Sequence, residues 1–489
     1  MFRFFYTKDV VMKKETIKNI ILALLIVNCI QLTAQIWLND KLWPNDYDFF
    51  EFTAQFPFLD GIVSLFRNGS NNDDISDIAL SPNKVVINGG GARVVSYDGS
   101  DTFHSALSLV VPCIEEIASG NSVSSDTISV SQWQSMLRSK SIYINLGFET
   151  DGKNIGDIFG QPLQEISKVS NADSIIIYPE LMLNCTYICF KSTDADYAVR
   201  YTLHGYSEQL TEFIKQHTVG QKNDHSFAFE LRLDKNSQQA GQGQHLVTFN
   251  PDVLLSMDNT AVYDLEVRNV FADTETLSKQ ADNILGAFGY KPSQIRKTVS
   301  QDGVVTYVEN SATVKVSPDG TVEYNSIATD KGIKVKDAKA QPSLIVNEVL
   351  EIAKDVIAAA DLEGTVTLKL RSPLDDTPVF SYTANFTRYI NSLPVIYDRN
   401  GVTENYTLTA QFENGYINSF KIILQNLSTS QQKTAPKTVL DTINSFCETY
   451  NINDGVTVED ILKCYYVKNS GTYKTKWCIR YNGTIAVPQ

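Results

Sequence analysis

A run of nineteen residues without a charged side chain, from Ile20 to Leu38, constrains this chain more than any other feature. A helix needs about 20 mainly apolar residues to cross a bilayer, so the run is long enough to span a membrane. It follows a basic segment, because residues 1–19 carry five Lys or Arg side chains against two acidic ones, a net charge of +3. Positively charged flanks stay in the cytoplasm. The sequence therefore predicts a cytoplasmic tail at 1–19, a transmembrane helix at 20–38 and the bulk of a single-pass protein outside the cell membrane.

Other kinds of N-terminal segment fit this run less well. A cleavable secretory signal ends at a small-x-small site, and Leu32-Thr33-Ala34 places a bulky residue there. A lipoprotein signal needs a small residue before its cysteine, whereas Asn28 precedes Cys29. A buried core helix would leave the charge asymmetry unexplained. Trp37 and Trp43 lie where an aromatic belt would anchor the outer interface, which favours an uncleaved anchor.

Three amide side chains lie on one face of the predicted anchor. Asn28, Gln31 and Gln35 are spaced so that, at 100° per residue, they fall within about 60° of one another. Amides in transmembrane helices hydrogen-bond to neighbouring helices, with about 0.6–2 kcal/mol for each contact. The stripe indicates contact with a partner's transmembrane helix. The alternative, a polar stripe tolerated on an anchor without a partner, stays open.

The composition of the rest of the chain excludes several partners. The whole sequence has a net charge of −14, which leaves −17 beyond residue 19. Such an acidic exterior argues against binding to nucleic acid or to anionic membrane surfaces. About 450 residues are enough for two to four domains with proper cores.

The cysteines do not form a disulfide framework. Cys29 falls in the anchor, and the others lie mostly in apolar patterns: Cys113, Cys185, Cys189, Cys447, Cys464 and Cys478. Cys185 and Cys189 point to the same face of a predicted strand, where they could pair or hold a metal only with other ligands. Buried thiols are the preferred interpretation.

The predicted fold class is α+β, with the anchor followed by several small helix-plus-antiparallel-sheet units. An approach segment at 39–77 leads into a first α+β domain at 78–203, a middle α+β domain at 204–335 and one or more C-terminal α+β domains at 341–489. The first contains a hairpin turning at Gly89-Gly90-Gly91. Helices are predicted at 102–118, 131–139, 207–217, 275–288, 343–360 and 436–450.

Each of the last three helices precedes an antiparallel meander. Ser317-Pro318-Asp319-Gly320 and Glu413-Asn414-Gly415 are predicted to be hairpin turns, and Pro342 and Pro436 to be helix starts. The segments KDAKAQPS and STSQQKTAP are predicted to be polar linkers. One face of the helix at 343–360 is apolar at Leu344, Val349, Ile352, Val356 and Ile357.

No motif predicts an enzyme, a metal site or a cofactor. The glycine run is followed by a strand pattern rather than a helix, so it fits neither a dinucleotide nor a phosphate loop. Ser430 and Lys433 match the S-x-x-K motif of a serine nucleophile, but they fall in a predicted polar linker without a companion motif, so the match is interpreted as chance. The histidines lack metal-ligand spacing: His104, His204, His217, His225 and His245. The acidic pairs Asp375-Asp376 and Asp194/Asp196 fit solvated turns.

Several stretches of the chain resemble a known family. MKKETIKNIILALLIVNCIQL, from Met12, is similar to the basic start and single transmembrane segment of the YycH/YycI regulatory proteins of Gram-positive bacteria. SQWQSMLRSKSIYINLG, TYVENSATVKVSPDGTVEY and FTRYINSLPVIYDRNGVTENYTLTAQFENGYINSF also resemble this family, and the C-terminal region is YycI-like. The resemblance extends over most of the chain. It rests on the order of the predicted elements and on short stretches of approximately matching sequence.

The resemblance implies a membrane-anchored extracytoplasmic regulator. Such proteins bind the sensor histidine kinase of the WalK/WalR (YycG/YycF) two-component system and adjust signalling that controls cell-wall metabolism. It also implies contact with the kinase's transmembrane helices, which would use Asn28, Gln31 and Gln35, and a paralogous regulator as a second partner. Two alternatives remain: a PepSY-like ligand-binding or protease-inhibiting module, and a cell-wall hydrolase, which the missing nucleophile and acid pair disfavour.

Overall fold

A computed structural model describes residues 79–120, 124–159, 169–234, 247–271, 273–335, 338–375, 377–399, 401–449 and 455–488. The predicted anchor at 20–38, with Asn28, Gln31 and Gln35, and the approach segment at 39–77 lie outside the described residues. None of the helices in the described ranges combines the length and apolar composition needed to cross a membrane. Within these ranges the chain mixes helices with mainly antiparallel sheets, which confirms the predicted α+β class.

An antiparallel sheet of seven strands forms the N-terminal part of the described chain. Its strands are β1 (Lys84–Gly89), β2 (Arg93–Tyr97), β3 (Ser124–Ser129), β4 (Lys140–Thr150), β5 (Ala172–Glu180), β6 (Cys185–Lys191) and β7 (Tyr197–His204). Their spatial order is β2-β1-β4-β5-β6-β7-β3. The β1–β2 hairpin turns at the glycine run, as predicted.

Helices cover both faces of this sheet. They are α1 (Asp101–Ala118), α2 (Val130–Arg138), α3 (Gly152–Ile158) and α4 (Ser207–Thr218). The buried residues of α1 and α4 join the core on one face, whereas Trp133 and Leu137 of α2 pack on the other. Local caps explain where two helices begin: the Ser100 hydroxyl accepts a hydrogen bond from the Phe103 amide at 3.3 Å, and Ser129 and Gln132 form a capping box.

Most later strands join one large sheet. The strands of its main path are β12 (Arg296–Val299), β13 (Val305–Val308), β14 (Ala312–Val316), β15 (Thr321–Ser326), β18 (Ser381–Ile390), β19 (Leu393–Arg399), β21 (Leu408–Glu413), β22 (Tyr416–Ile423), β24 (Val456–Val467), β26 (Thr475–Tyr481) and β27 (Thr484–Ala486). Four further strands pair at its sides: β9 (Val247–Phe249), β16 (Ile333–Lys334), β17 (Thr367–Leu370) and β20 (Val402–Glu404). The spatial order of the main path is β12-β13-β14-β15-β22-β21-β18-β19-β24-β26-β27.

Two smaller sheets complete the described strands. One pairs β8 (His225–Phe227) with β10 (Leu254–Ser256). The other places β11 (Val262–Asn269) between β23 (Gln425–Thr434) and β25 (Gly471–Tyr473). The meanders predicted after separate helices therefore do not remain separate sheets. Pairing between β15 and β22 joins the meanders into one sheet. It supplies hydrogen-bond partners to backbone groups at strand edges that would otherwise be unpaired.

Three later helices lie against these sheets: α5 (Thr274–Ala287), α6 (Pro342–Ala359) and α7 (Val439–Thr449). Helix α6 begins at Pro342, as predicted. It buries Val349 and Val356, whereas Leu344, Ile352 and Ile357 are only partly buried. Its core-facing stripe is therefore rotated relative to the predicted one. Helix α7 starts at Val439 rather than at Pro436, because the Thr438 hydroxyl caps the amide of Asp441 at 3.0 Å.

One predicted linker is wrong. Residues 428–434 of STSQQKTAP belong to strand β23, which pairs with β11 through Ser428↔Glu266 and Thr429↔Leu265. The predicted turn at Glu413-Asn414-Gly415 is confirmed: Asn414 and Gly415 have φ angles of 52° and 95°, which fits a two-residue hairpin loop.

Candidate ligand-binding cleft

A polar cleft of about 250 Å³ lies where the seven-stranded sheet meets the large sheet. Strands β1, β4 and β5 line one side, and strands β18, β24 and β26 line the other. The segment that follows β17 crosses the junction and contributes Arg371. The cleft therefore exists only because residues far apart in the sequence meet at this junction.

Arg371 is held in place by three oxygen acceptors. Its guanidinium donates to the Gly147 carbonyl at 3.1 Å and to the Asn83 side chain at 3.2 Å. It also donates to the Tyr389 hydroxyl and lies 5.1 Å from the centre of that ring. Burial, together with the charge of Arg480, lowers the pKa of Arg371 to about 9, so the side chain remains charged at neutral pH. Among the described residues, no carboxylate forms an ion pair with it.

Arg480 is a second guanidinium in the cleft. It lies on β26 opposite Asp460 of β24, but the Asp460 carboxylate pairs with the Lys84 ammonium at 3.5 Å. Within the described ranges Arg480 has neither a hydrogen bond from its side chain nor an ion pair. Glu459, which also lines the cleft, accepts a hydrogen bond from the Gly483 amide at 2.9 Å. This end of the cleft thus holds three cations against two carboxylates that already have partners.

The opposite end is acidic. Asp173 accepts hydrogen bonds from the Thr193 amide at 3.1 Å and from the Ser174 hydroxyl at 2.8 Å, yet burial raises its pKa. Glu149 accepts from the Ser192 hydroxyl at 2.6 Å. Asp194 is exposed at the rim. The side chains that line the cleft are therefore mainly cationic at one end and acidic at the other.

Asp252 closes the acidic end. One of its oxygens accepts a hydrogen bond from the Trp133 indole N–H at 3.0 Å and lies 3.3 Å from the Lys191 ammonium. The other oxygen is buried without a hydrogen-bond partner among the described residues. Burial raises the pKa of this carboxyl, although Lys191 acts in the other direction.

A buried ion pair fastens the two sheets beside the cleft. Lys369 of β17 lies 3.0 Å from the Asp98 carboxylate, which follows β2, and also donates to the Pro82 carbonyl at 3.0 Å. Burial lowers the pKa of Lys369. Burial by itself would raise the pKa of Asp98. The charge of Lys369 and its hydrogen bond outweigh this effect and lower the pKa below its usual value.

The residues singled out in the sequence do not assemble into a site of their own, although Asp194 of the predicted acidic pair lines the acidic end of the cleft. Ser430 and Lys433 lie on β23, where the Lys433 ammonium stacks 4.2 Å from the Tyr263 ring. Four histidines occupy separate elements: His104 in α1, His204 in β7, His217 in α4 and His225 in β8. His245 lies outside the described residues. In the described ranges, no group of three His, Cys, Asp or Glu side chains could hold a metal ion.

The remaining sequence candidates have local structural roles. Cys185 and Cys189 are free and buried on β6, which agrees with the preferred interpretation, and the Cys189 thiol lies 3.7 Å from the Met136 sulfur. Asp375 caps its own turn, because its carboxylate accepts from the Thr377 amide at 2.9 Å. Sequence reasoning missed the cleft. The one available signal was the alternation Lys369–Arg371, which places two cations at the end of an otherwise apolar strand pattern.

Comparison with known proteins gives a fold rather than a sequence family. No family model matches the chain, and no curated protein matches it. Among solved structures it is similar to YycH from Bacillus subtilis, with a TM-score of 0.52 and 14% identity over 84% of this chain and 96% of that one. An uncharacterized protein from Eubacterium rectale is similar at a TM-score of 0.33 and 14% identity, over 50% of this chain and 87% of that one. The chain therefore has a YycH-like fold.

Proposed function

We propose that this protein is a membrane-anchored extracytoplasmic regulator that binds a sensor histidine kinase and modulates two-component signalling of cell-wall metabolism. The observation that carries the proposal is the YycH-like fold, which extends over most of both chains. The order of a basic start, an apolar run and an acidic exterior supports it independently. On this proposal the protein is not an enzyme, and its partners are the kinase's transmembrane helices and a paralogous regulator.

The proposed kinase contact is tested in the anchor. Replacing Asn28, Gln31 and Gln35 together by leucine preserves the length of the helix and makes insertion easier, so membrane abundance should hold or rise. Lost interhelical hydrogen bonds, at about 0.6–1.7 kcal/mol each, should weaken kinase recovery by about tenfold or more if they add. Quantitative pull-down of the full-length chain from membranes with the WalK-type kinase measures this.

A matched variant controls for the three substitutions. Ile26→Leu, Cys29→Leu and Thr33→Leu have the same spacing on the opposite face of the helix. This control should recover as much kinase as the unchanged protein. If both triple variants recover the same amount of kinase, the kinase does not bind through the stripe of Asn28, Gln31 and Gln35. Recovery of a peptidase instead of a kinase would favour the PepSY-like alternative.

The proposed topology has its own test. A reporter that is active only outside the cytoplasm, fused after Gln489, should be functional, and the intact chain should stay in the membrane fraction, because the +3 flank precedes the charge-free run. The same reporter fused before Met1 should be silent. If a mature protein that begins near Gln35 is recovered from the medium, the segment is cleaved and the proposal of an uncleaved anchor is wrong.

A further inference from the structure

The cationic end of the cleft has the composition of a carboxylate-binding site. Arg371 is positioned by the Gly147 carbonyl, Asn83 and Tyr389, all neutral acceptors, so its charge is not neutralised by them. Arg480 lines the same cleft with no hydrogen bond or ion pair from its side chain to a described residue. Two guanidinium groups in one cleft repel each other, and an oxyanion between them would remove that repulsion. Guanidinium groups bind carboxylates through paired, charge-assisted hydrogen bonds.

The acidic end begins on the strand that binds Arg371. The Arg371 guanidinium donates to the Gly147 carbonyl on β4, and Glu149, which lines the acidic end, lies two residues further along the same strand. Two residues of an extended strand span about 7 Å. Thr150, next to Glu149, is in register with Ala172 on β5, so Asp173 follows beside Glu149 on the neighbouring strand, and Asp194 also lines this end.

This separation selects the ligand. A doubly anionic molecule would meet repulsion at Asp173 and Glu149, whereas an ammonium group there would be attracted. An extended chain spans about 3.3–3.6 Å per residue, so two residues bridge about 7 Å and three bridge about 10 Å. The cleft volume of about 250 Å³ also suits a small ligand.

We propose that the cleft binds a short zwitterionic peptide of two or three residues, with its carboxylate between Arg371 and Arg480 and its ammonium group toward Asp173 and Glu149. The binding site does not depend on the proposed kinase contact, which lies in the anchor. Loss of one leaves the other measurable.

The test is calorimetric titration of the full-length purified chain with trialanine. Binding should weaken about tenfold to a hundredfold in Arg480→Gln, which removes charge-assisted hydrogen bonds to the ligand. Because the Arg480 side chain has no hydrogen bond or ion pair within the described chain, this variant should fold normally. Arg268→Gln, at an exposed position of strand β11, is the control and should bind like the unchanged protein.

Modified probes separate the two charges. Trialanine amide lacks the carboxylate and N-acetyl-trialanine lacks the ammonium group, so both should bind more weakly than trialanine. Inorganic phosphate tests for a general oxyanion site. If phosphate binds as tightly as trialanine and acetylation has no effect, the zwitterion proposal is wrong. It is equally wrong if trialanine does not bind at millimolar concentration, or if Arg480→Gln leaves its affinity unchanged.

Discussion

At the scale of single residues, the cleft depends on Gly147. Its φ of +85° is unfavourable for residues with a side chain, and an added Cβ would lie 2.4 Å from a terminal nitrogen of Arg371. Gly147→Ala should therefore lower the free energy of unfolding by about 1–2 kcal/mol for the backbone conformation, and by about 1–3 kcal/mol more for the steric contact. Urea denaturation measures the sum.

Gly99 provides a control that isolates the steric contact. It has the same φ of +85°, but it lies on the surface, and a Cβ added there would have no neighbouring atom within 4 Å. Gly99→Ala should show only the backbone cost. Equal losses in the two variants would mean that Arg371 moves aside freely, and the positioning of its guanidinium would then not depend on Gly147.

At the scale of elements, helix α6 is held by its buried face. Val356 is fully buried in the largest core cluster, whereas Leu344 is only partly buried. We expect Val356→Ala to destabilise the protein by about 1–4 kcal/mol, because it removes buried methyl groups and leaves a cavity. Leu344→Ala should cost less, although it removes more atoms. Thermal or urea unfolding of the two variants compares them.

An exposed position on the same helix checks that the effect comes from burial. Lys354 is exposed, so Lys354→Ala should change stability by no more than about 0.5 kcal/mol. A larger loss at Leu344 than at Val356 would contradict the burial of these two positions in the structure.

At the scale of the whole molecule, polar contacts help to join the two large sheets. The Lys369–Asp98 pair connects β17 with the end of β2, and the Ser392 hydroxyl donates to the Asp98 carbonyl at 2.5 Å. Asp98→Asn would leave the Lys369 ammonium buried without a carboxylate, which should cost about 3–5 kcal/mol at pH 7. Urea unfolding measures this loss. Adding Lys369→Met should recover much of it, and a double variant as unstable as Asp98→Asn would contradict this account.

The same pair predicts a dependence on pH. The pKa of Asp98 is lower in the folded protein than in the unfolded chain, so the unfolded state binds more protons in the interval between the two values. Its stabilising contribution is complete above the unfolded pKa of about 3.9 and is lost as pH falls through the folded pKa. Stability, measured by urea unfolding across this interval, should therefore fall less steeply in acid in Asp98→Asn than in the unchanged protein.

The sequence alone determined the elements whose signals are local. Helix α1 begins one residue before its predicted start, and α5 spans Thr274–Ala287 against a predicted 275–288. These agree because caps and 3.6-residue periodicity act within a few turns. The α+β class follows from the same signals. The charge-free run likewise determines the prediction of an anchor, since its length and flanking charges depend only on neighbouring residues.

Tertiary structure decided the rest. Residues 428–434 are polar throughout, so no local pattern marks them as a strand, and they become one because β11 offers hydrogen-bonding partners. The cleft likewise has no local signature: Gly147, Arg371 and Arg480 come from three distant parts of the chain and meet only when the two sheets pack together. Charge pairing at that junction depends on distance in space, which sequence spacing does not encode.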